Sequence, residues 1–303
     1  MKDFQFCSPR SLDEAVGLMS EEGVKARGFA GGTDVLVQLR AKRFEIDRLV
    51  DMKQVPELND LQLESTKGLR IGASVPCHQV YEDKSICSVY PGLIDSIAII
   101  GGIQIQGRAS IGGNLCNASP SADSIPTLIV YGAQCEIAGK NGMRSIGVED
   151  FCVGPGKSVL DEGEILVAVN IPTPAPNSGA HYLRFIPRNE MDIAVVGAGA
   201  AVELEEDLQT IKKARIAFGA VAPTPLLASE AGDLLSGKEA GEESYEAAAS
   251  VAQSIVSPIT DMRGTKEFRI HLTGVLTKRA LRGAVARARG EFVPNAVEEA
   301  KAS

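Results

Sequence analysis

The sequence predicts an α+β protein in which two small α/β units precede a larger α+β unit. Helix-like and strand-like patterns alternate from the N-terminus to about residue 57. A proline-rich segment at residues 172–179 interrupts the chain, and beyond it all strand patterns precede the helix patterns. A chain of 303 residues also exceeds what one hydrophobic core usually serves. We therefore expect units at residues 1–57, 58–175 and 176–290, with a flexible tail at 291–303.

The first unit opens with a helix signal. Ser11 and Glu14 have the spacing of a capping box, and the apolar residues that follow fit one helix face until Gly23. The remaining expected elements are a strand at 25–30, a helix at 33–40 and a strand at 48–51.

The second unit combines strands with short helices around a glycine-rich stretch. Leu61 and Leu63 alternate with polar residues before a turn at Gly68, which indicates a hairpin. Pro91 favours the first turn of a helix, and Pro172 ends the last strand. The expected elements are a hairpin at 61–73, helices at 90–100 and 124–131, and strands at 134–138 and 163–172.

The third unit contains a segment that imitates a dinucleotide-binding fingerprint. Gly197 and Gly199 have the right spacing, but Val202 stands where the third glycine or alanine is needed, and no helix pattern follows. We interpret this segment as a buried strand. The expected strands are 181–187, 193–204 and 214–222, and the expected helices lie near 228–235, 242–256 and 268–288.

Charge and composition exclude several classes of function. The net charge of −8 argues against a nucleic-acid binder, which needs a basic face, and against binding to an anionic membrane. The N-terminus does not resemble a signal peptide, and no stretch approaches the length of a membrane span, so we expect a cytoplasmic protein. The six cysteines are dispersed without metal-ligand spacing, which favours free thiols and no metal site.

Two glycine pairs are the strongest candidates for a binding site. Gly31 and Gly32 precede Thr33, and Gly112 and Gly113 follow Ser110. Each segment alone is typical of an ordinary turn. Together with the polar stretch up to residue 123, they favour a dinucleotide site, because glycines let backbone N–H groups approach phosphates closely.

Each candidate group has an expected partner in such a site. The N–H groups of the four glycines would face a pyrophosphate, while Thr33, Ser110 and Asn114 would donate hydrogen bonds to the ligand. Asp123 would accept hydrogen bonds from sugar hydroxyls. Cys116 lies in the same stretch and is interpreted as a packing residue. No catalytic acid–base constellation stands out, which suits a redox cofactor that carries the chemistry itself.

An ordered set of motifs resembles the flavin motifs of the molybdenum hydroxylase family. The resemblance is to its separate FAD-binding, or medium, subunit of the xanthine dehydrogenase and carbon monoxide dehydrogenase type. It extends from residue 1 to about residue 288. The matching segments are 30–34 (AGGTD), 110–114 (SIGGN), 118–123 (ASPSAD), 154–157 (GPGK), 164–166 (EIL), 188–194 (RNEMDIA), 258–265 (PITDMRGT) and 267–269 (EFR).

The resemblance implies a fold and a role. The fold is the vanillyl-alcohol-oxidase-type FAD-binding domain, with two α/β subdomains, followed by a C-terminal α+β domain. FAD would receive electrons from a small iron–sulfur [2Fe–2S] subunit, fed by a large molybdenum-cofactor subunit, and would pass them to NAD or another acceptor. The family branch that carries a cluster in this subunit has an insertion that is missing here, so we expect no cluster in this chain.

The resemblance also implies cofactor contacts by position. Gly101 and Asp123 would contact the cofactor, and Leu166 would pack on the isoalloxazine. Arg184 falls where some relatives have a lysine near the flavin ring, which is a departure from the family pattern. The pyrophosphate would be bound by Gly28, Phe29, Ala30, Gly31, Gly32, Thr33, Asp34, Val35, Ser110, Ile111, Gly112, Gly113 and Asn114.

Two alternatives remain at the level of sequence. A stand-alone flavin oxidase or reductase of the same fold would turn over a small substrate without partner subunits. A non-catalytic nucleotide-binding assembly protein would bind an ADP-like ligand reversibly and show no flavin redox chemistry.

Overall fold

The structure, a computed structural model, describes residues 3–188 and 191–298. Within this part of the chain, fourteen strands and eleven α-helices are formed. The strands make sheets of three, five and four strands and one two-stranded ribbon.

The first unit is a parallel three-stranded sheet with the strand order β1–β3–β2. Its elements are β1 (Gln5–Cys7), α1 (Leu12–Met19), β2 (Ala26–Phe29), α2 (Val35–Arg40) and β3 (Arg48–Asp51). The predicted cap is confirmed, since the Ser11 hydroxyl accepts a hydrogen bond from the N–H of Glu14 at 3.2 Å. The sequence does not predict β1, because three residues are too few to show an alternation.

The second unit surrounds an antiparallel five-stranded sheet with the order β4–β5–β10–β6–β7. Strand β10 lies at the centre and is buried at six of its seven positions, consistent with its unbroken apolar run. The strands are β4 (Leu61–Glu64), β5 (Gly68–Gly72), β6 (Gln134–Gly139), β7 (Gly142–Gly147), β8 (Cys152–Gly154), β9 (Lys157–Ser158) and β10 (Ile165–Ile171). The helices are α3 (Cys77–Glu82), α4 (Lys84–Val89), α5 (Pro91–Ile97), α6 (Ile103–Gln106), α7 (Ile111–Asn117) and α8 (Ser124–Val130).

Helix α7 lies inside the glycine-rich stretch, where the sequence predicts only a turn. Gly112 packs against strand-end residue Ala73 so closely that a Cβ at residue 112 would lie 2.4 Å from the Ala73 carbonyl oxygen. This tertiary contact requires glycine and outweighs the low helix propensity of a glycine pair.

The third unit is an antiparallel sheet of strand order β11–β12–β13–β14, with helices after the strands as predicted. The segment with the false fingerprint forms strand β12. Seven of its nine residues are buried, and the exceptions are Ala201 and Glu203. The elements are β11 (Ser178–Phe185), β12 (Val196–Leu204), β13 (Ile211–Gly219), β14 (Leu226–Leu227), α9 (Ser229–Asp233), α10 (Glu242–Ile255) and α11 (Lys266–Ala288).

A buried ion network joins the second and third units. Asp95 on α5 accepts hydrogen bonds from Arg287 on α11 at 2.6 Å and from His181 on β11 at 2.8 Å. The side chains of Asp95 and Arg287 are each only 5% exposed. This network fixes β11 and α11 of the third unit against α5 of the second unit.

The chain end differs from the expected flexible tail as far as the structure describes it. Arg287 donates hydrogen bonds to the carbonyls of Val293 and Pro294, each at 3.2 Å, and Asn295 is buried. Residues 293–297 therefore pack on the protein, because the buried arginine uses two of their carbonyls as acceptors. Residues 299–303 of the expected tail lie outside the described part.

Candidate functional site

Two adjoining cavities lie between the units, the first lined by all three units and the second by the first two. The first, which we call the loop cavity, has a volume of about 440 Å³ and is lined by the loop after β2, the start of α7 and the loop before β12. The second, the sheet cavity, has a volume of about 510 Å³ and is lined by β2, β10 and the segment before β10. Both are lined by Gly28, Ala30 and Gly113, so they adjoin at these residues.

The cavities bring together most of the residues predicted to bind a cofactor. Those lining the loop cavity are Gly28, Ala30, Gly31, Gly32, Thr33, Asp34, Val35, Gly101, Ser110, Gly113, Asn114 and Asp123. Those lining the sheet cavity are Gly28, Phe29, Ala30, Gly112, Gly113 and Leu166. Two predicted residues line neither cavity. Ile111, the first residue of α7, is 1% exposed and packs in the core. Arg184 contacts the site only through Asp123.

The loop after β2 is held in place by side chains that donate hydrogen bonds to its backbone carbonyls. The Arg108 Nε donates a hydrogen bond to the Gly31 carbonyl at 2.8 Å, and Gly32 adopts a φ of +78°, which favours glycine. Lys53 also contacts this loop. Its Nζ lies 4.1 Å from the centre of the Phe29 ring and donates a hydrogen bond to the Ala30 carbonyl at 3.2 Å.

The second glycine pair differs from the sequence prediction in its hydrogen bonds. The N–H of Gly113 donates to the Ser110 hydroxyl at 3.0 Å, so Ser110 caps α7 and this N–H has an internal partner. Asn114 Oδ1 accepts a hydrogen bond from Ser124 at 2.7 Å. Ser110 therefore keeps its hydroxyl hydrogen for a ligand, and Asn114 keeps its amide N–H groups.

Asp123 is the most perturbed acid of the loop cavity. Its Oδ1 accepts a hydrogen bond from the Tyr182 hydroxyl at 2.9 Å, and its Oδ2 accepts one from Arg184 at 2.8 Å. Burial raises the pKa of Asp123 to about 6, against the lowering effects of the Arg184 charge and of the two hydrogen bonds. The carboxylate is thus fixed by two donors on β11 before any ligand is considered.

The sheet cavity offers an apolar wall and one polar atom without a protein partner. Leu166 is 3% exposed and lies where the pairing of β10 with β6 shifts register before Ala168. The buried Ser74 hydroxyl, which also lines this cavity, has no hydrogen-bond partner within the described residues. A buried hydroxyl normally has a partner, so a polar ligand group fits here.

Three lining residues come from a loop that the physical reasoning from the sequence missed. Met191, Asp192 and Ile193 line the loop cavity, and the N–H of Met191 donates to the Gly101 carbonyl at 3.2 Å. The available signal was the run at residues 188–194, which was quoted as part of the resemblance but was not assigned to the site. Residues 189 and 190 of this run lie outside the described part.

The pKa values of both acids that the sequence predicted for the site, Asp34 and Asp123, are raised by burial. In residues 3–188 and 191–298, no group of three or more His, Cys, Asp or Glu side chains could hold a metal ion. The same residues contain no helix with the length and apolar character needed to cross a membrane.

Comparison with known proteins identifies the family. Residues 2–174 match the model described as "FAD binding domain in molybdopterin dehydrogenase", and residues 181–284 match "CO dehydrogenase flavoprotein C-terminal domain". The chain is an FAD-binding medium subunit of the molybdenum hydroxylase family. This confirms the predicted family, fold and FAD cofactor, and it makes the chain an oxidoreductase subunit.

Individual relatives are similar to this chain over nearly its whole length. The medium subunit is 34% identical to the xanthine dehydrogenase FAD-binding subunit of Escherichia coli O157:H7, over 93% of this chain and 96% of the relative. It is 30% identical to the carbon monoxide dehydrogenase medium chain of Hydrogenophaga pseudoflava, over 94% of this chain and 98% of the relative. A solved CO dehydrogenase chain from Oligotropha carboxidovorans superposes with a TM-score of 0.89 at 29% identity, covering 94% and 99% of the two chains.

Proposed function

We propose that this medium subunit accepts electrons from a small [2Fe–2S] subunit and passes them through FAD to NAD or another acceptor. The organic substrate would be oxidised on a large molybdenum-cofactor subunit. The observation that carries this proposal is the pair of adjoining cavities lined by the two glycine segments, in a chain whose relatives are named as one subunit or chain of a dehydrogenase.

We assign the pyrophosphate of FAD to the loop cavity. That cavity is lined by the two glycine segments and by the hydroxyls of Thr33 and Ser110, which suit phosphate oxygens. Asp123 has acceptor capacity left on both oxygens for ribityl or ribose hydroxyls. The residues that would make up this part of the site are Gly28, Ala30, Gly31, Gly32, Thr33, Asp34, Val35, Gly101, Ser110, Gly113, Asn114 and Asp123, with Phe29 and Gly112 lining the adjoining sheet cavity.

We assign the flavin ring to the sheet cavity. Leu166 supplies an apolar wall for a planar ring, and the buried Ser74 hydroxyl supplies a hydrogen-bonding group without another partner. Arg184 contributes through its ion pair with Asp123, and Ile111 contributes through the core that supports α7.

The chain's own role in the reaction is binding and orientation. When bound, FAD supplies the redox chemistry itself. The surrounding residues hold the pyrophosphate, fix the orientation of the sugar hydroxyls through Asp123, and shield one region of the ring with the β10 wall. None of the groups named here needs to transfer a proton to an organic substrate, which fits substrate oxidation on another subunit.

A purified chain tests the two halves of the proposal separately. We expect a yellow protein that releases about one FAD per chain on acid treatment, as one site predicts. The FAD-loaded chain is then mixed with NADH without oxygen, and bleaching of the visible flavin band identifies NAD as an acceptor. Copurification with tagged small and large subunits tests the assembly. A chain that takes up FAD but never associates with such subunits would contradict the electron-transfer role.

The alternatives make different predictions for the same preparation. A stand-alone oxidase or reductase would show multiple turnovers of a small substrate with no partner present, whereas we expect none. Membership of a dehydrogenase flavoprotein family decides against a non-catalytic assembly protein.

We also propose the cytoplasm as the compartment and keep the predicted unit boundaries. The six cysteines all lie in the described part and are free thiols there, which fits a reducing compartment. The matched family models end at residue 174 and resume at residue 181, which supports a boundary near residues 175 and 176.

A further inference from the structure

We propose that Tyr182 is a positioning residue for FAD, which acts from the C-terminal sheet by fixing the carboxylate of Asp123. Tyr182 lines neither cavity, and its side chain reaches the cofactor site only through this carboxylate. The inference rests on the proposed role of Asp123 as a cofactor contact and adds a role for a residue of the other domain.

Tyr182 is held in place through both its hydroxyl and its backbone N–H. Its hydroxyl donates to Asp123 Oδ1 at 2.9 Å, and its own backbone N–H donates to Asp95 Oδ2 at 3.2 Å. The residue is 3% exposed, so little room remains for another rotamer. Tyr182 therefore links the buried ion network around Asp95 to Asp123 in the loop cavity.

The neighbouring strand is shaped to admit this hydroxyl. A Cβ at Gly197 on β12 would lie 2.4 Å from the Tyr182 hydroxyl oxygen and 3.2 Å from the carbon that carries it. The register pairs Gly197 with Arg184, so the small residue lies beside both donors to Asp123. A side chain at residue 197 would displace the phenol from the carboxylate.

Tyr182 and Arg184 together leave the carboxylate one orientation. They lie two residues apart on β11, and side chains at that spacing point to the same face of a strand. One donates to Oδ1 and the other to Oδ2, which fixes rotation about the carboxylate axis. The remaining lone pairs then point in set directions, which is what recognition of a sugar hydroxyl needs.

The two donors also favour the ionised form of Asp123. Burial raises its pKa to about 6, while Arg184 and Tyr182 act in the opposite direction. The other charged groups that line the loop cavity are Arg27, Asp34 and Asp192. Removing the Tyr182 hydroxyl takes away one lowering contribution, so the pH below which FAD binding weakens is expected to move upward.

The test titrates FAD into the full-length chain after FAD removal, with flavin fluorescence as the signal. We expect Tyr182→Phe to bind FAD about 10-fold more weakly at neutral pH, as the loss of a hydrogen bond to a charged group predicts. Arg184→Lys keeps a charge near Asp123 and is expected to retain more affinity than Arg184→Ala. Tyr90→Phe is the matched control, because Tyr90 is equally buried but donates to the carbonyl of Pro172.

A double-mutant cycle separates positioning from a general structural effect. If Tyr182 acts through Asp123, the effect of Tyr182→Phe on FAD affinity disappears in an Asp123→Asn background. Additive losses of FAD affinity would overturn the inference. So would a Tyr182→Phe variant whose FAD binding weakens at the same pH midpoint as that of the wild type. If Asp123→Asn itself binds FAD like the wild type, the proposed site fails; if only Tyr182→Phe behaves like the wild type, the site stands and the positioning role fails.

Discussion

The Arg108 Nε and the Gly31 carbonyl oxygen lie 2.8 Å apart and join the two glycine segments by a direct hydrogen bond. Residue 31 belongs to the first unit and residue 108 to the second, so the loop cavity is closed by a contact between them. The approach is close enough that a Cβ at residue 31 would lie 1.9 Å from the Arg108 carbonyl oxygen. The first glycine segment is therefore constrained by its neighbour in the second unit.

Gly31→Ala is expected to damage both stability and cofactor binding. The added methyl group meets backbone atoms, which cannot move aside like a flexible side chain. We expect the free energy of unfolding to fall by about 1–3 kcal/mol, as for other overpacked sites, and FAD binding to weaken. Urea unfolding of the FAD-free chain and FAD titration measure the two effects, and an unchanged variant would contradict the close approach.

Gly17→Ala is the matched control and should have the opposite effect on stability. Gly17 is an exposed residue inside α1, and nothing lies within 4 Å of the position of an added Cβ. Alanine in a helix interior stabilises by about 0.5–1 kcal/mol relative to glycine. The same urea unfolding should show this gain, with FAD affinity unchanged.

Ser110→Ala tests whether the capping serine also serves the cofactor. Its hydroxyl accepts the Gly113 N–H, so its loss should lower the free energy of unfolding by about 1 kcal/mol. Ser11→Ala removes the equivalent cap of α1 far from the cavities and should cost a similar amount. We expect only Ser110→Ala to weaken FAD binding in a titration; equal FAD affinities would assign Ser110 to capping alone.

Asp95→Ala is expected to be the most destabilising of these substitutions. It leaves the buried Arg287 guanidinium without its counter-ion, which typically costs about 3–5 kcal/mol. Glu246→Ala breaks the half-exposed pair with Lys278 and should cost less than about 1 kcal/mol. Chemical unfolding of both variants measures the difference. Similar losses of stability would mean that the Asp95 network contributes no more to stability than an exposed ion pair.

The raised pKa of Asp123 should make the free energy of unfolding of the FAD-free chain depend on pH. The pKa of this carboxyl is raised from 3.8 to about 6 in the folded state, so the folded state binds the proton more tightly than the unfolded chain. Its contribution to stability therefore increases as the pH falls through this window. Urea unfolding across the window should show the wild type gaining stability relative to Asp123→Asn, and parallel pH curves would contradict the raised pKa.

Elements with local signals could be predicted well from the sequence. Helix α10 was expected at 242–256 and runs over Glu242–Ile255, because its apolar face and its flanking residues are all local. The apolar strand β12 was also separated correctly from a nucleotide fingerprint, since Val202 excludes the third glycine. Helix α7 was missed because the contact that requires glycine at residue 112 comes from Ala73, which is distant in sequence.

The sequence predicted most residues of the candidate site but not the hydrogen bonds between them. Both glycine segments and Asp123 lie at the cavities, since each sequence segment carries its own polar signature. The partners of Asp123 could not be derived, because Tyr182 and Arg184 follow it by 59 and 61 residues and reach it only through the packing of β11. Hydrogen bonds between distant segments depend on tertiary structure, which no local pattern encodes.

The central position of β10 has a consequence for synthesis of the chain. Strands β5 and β6 pair with β10 on its two sides, so each has an open edge until residues 165–171 have left the ribosome. Unpaired strand edges are templates for aggregation. A nascent chain that stalls before this point would be a substrate for chaperones, and cofactor loading must wait for a strand encoded more than halfway along the message.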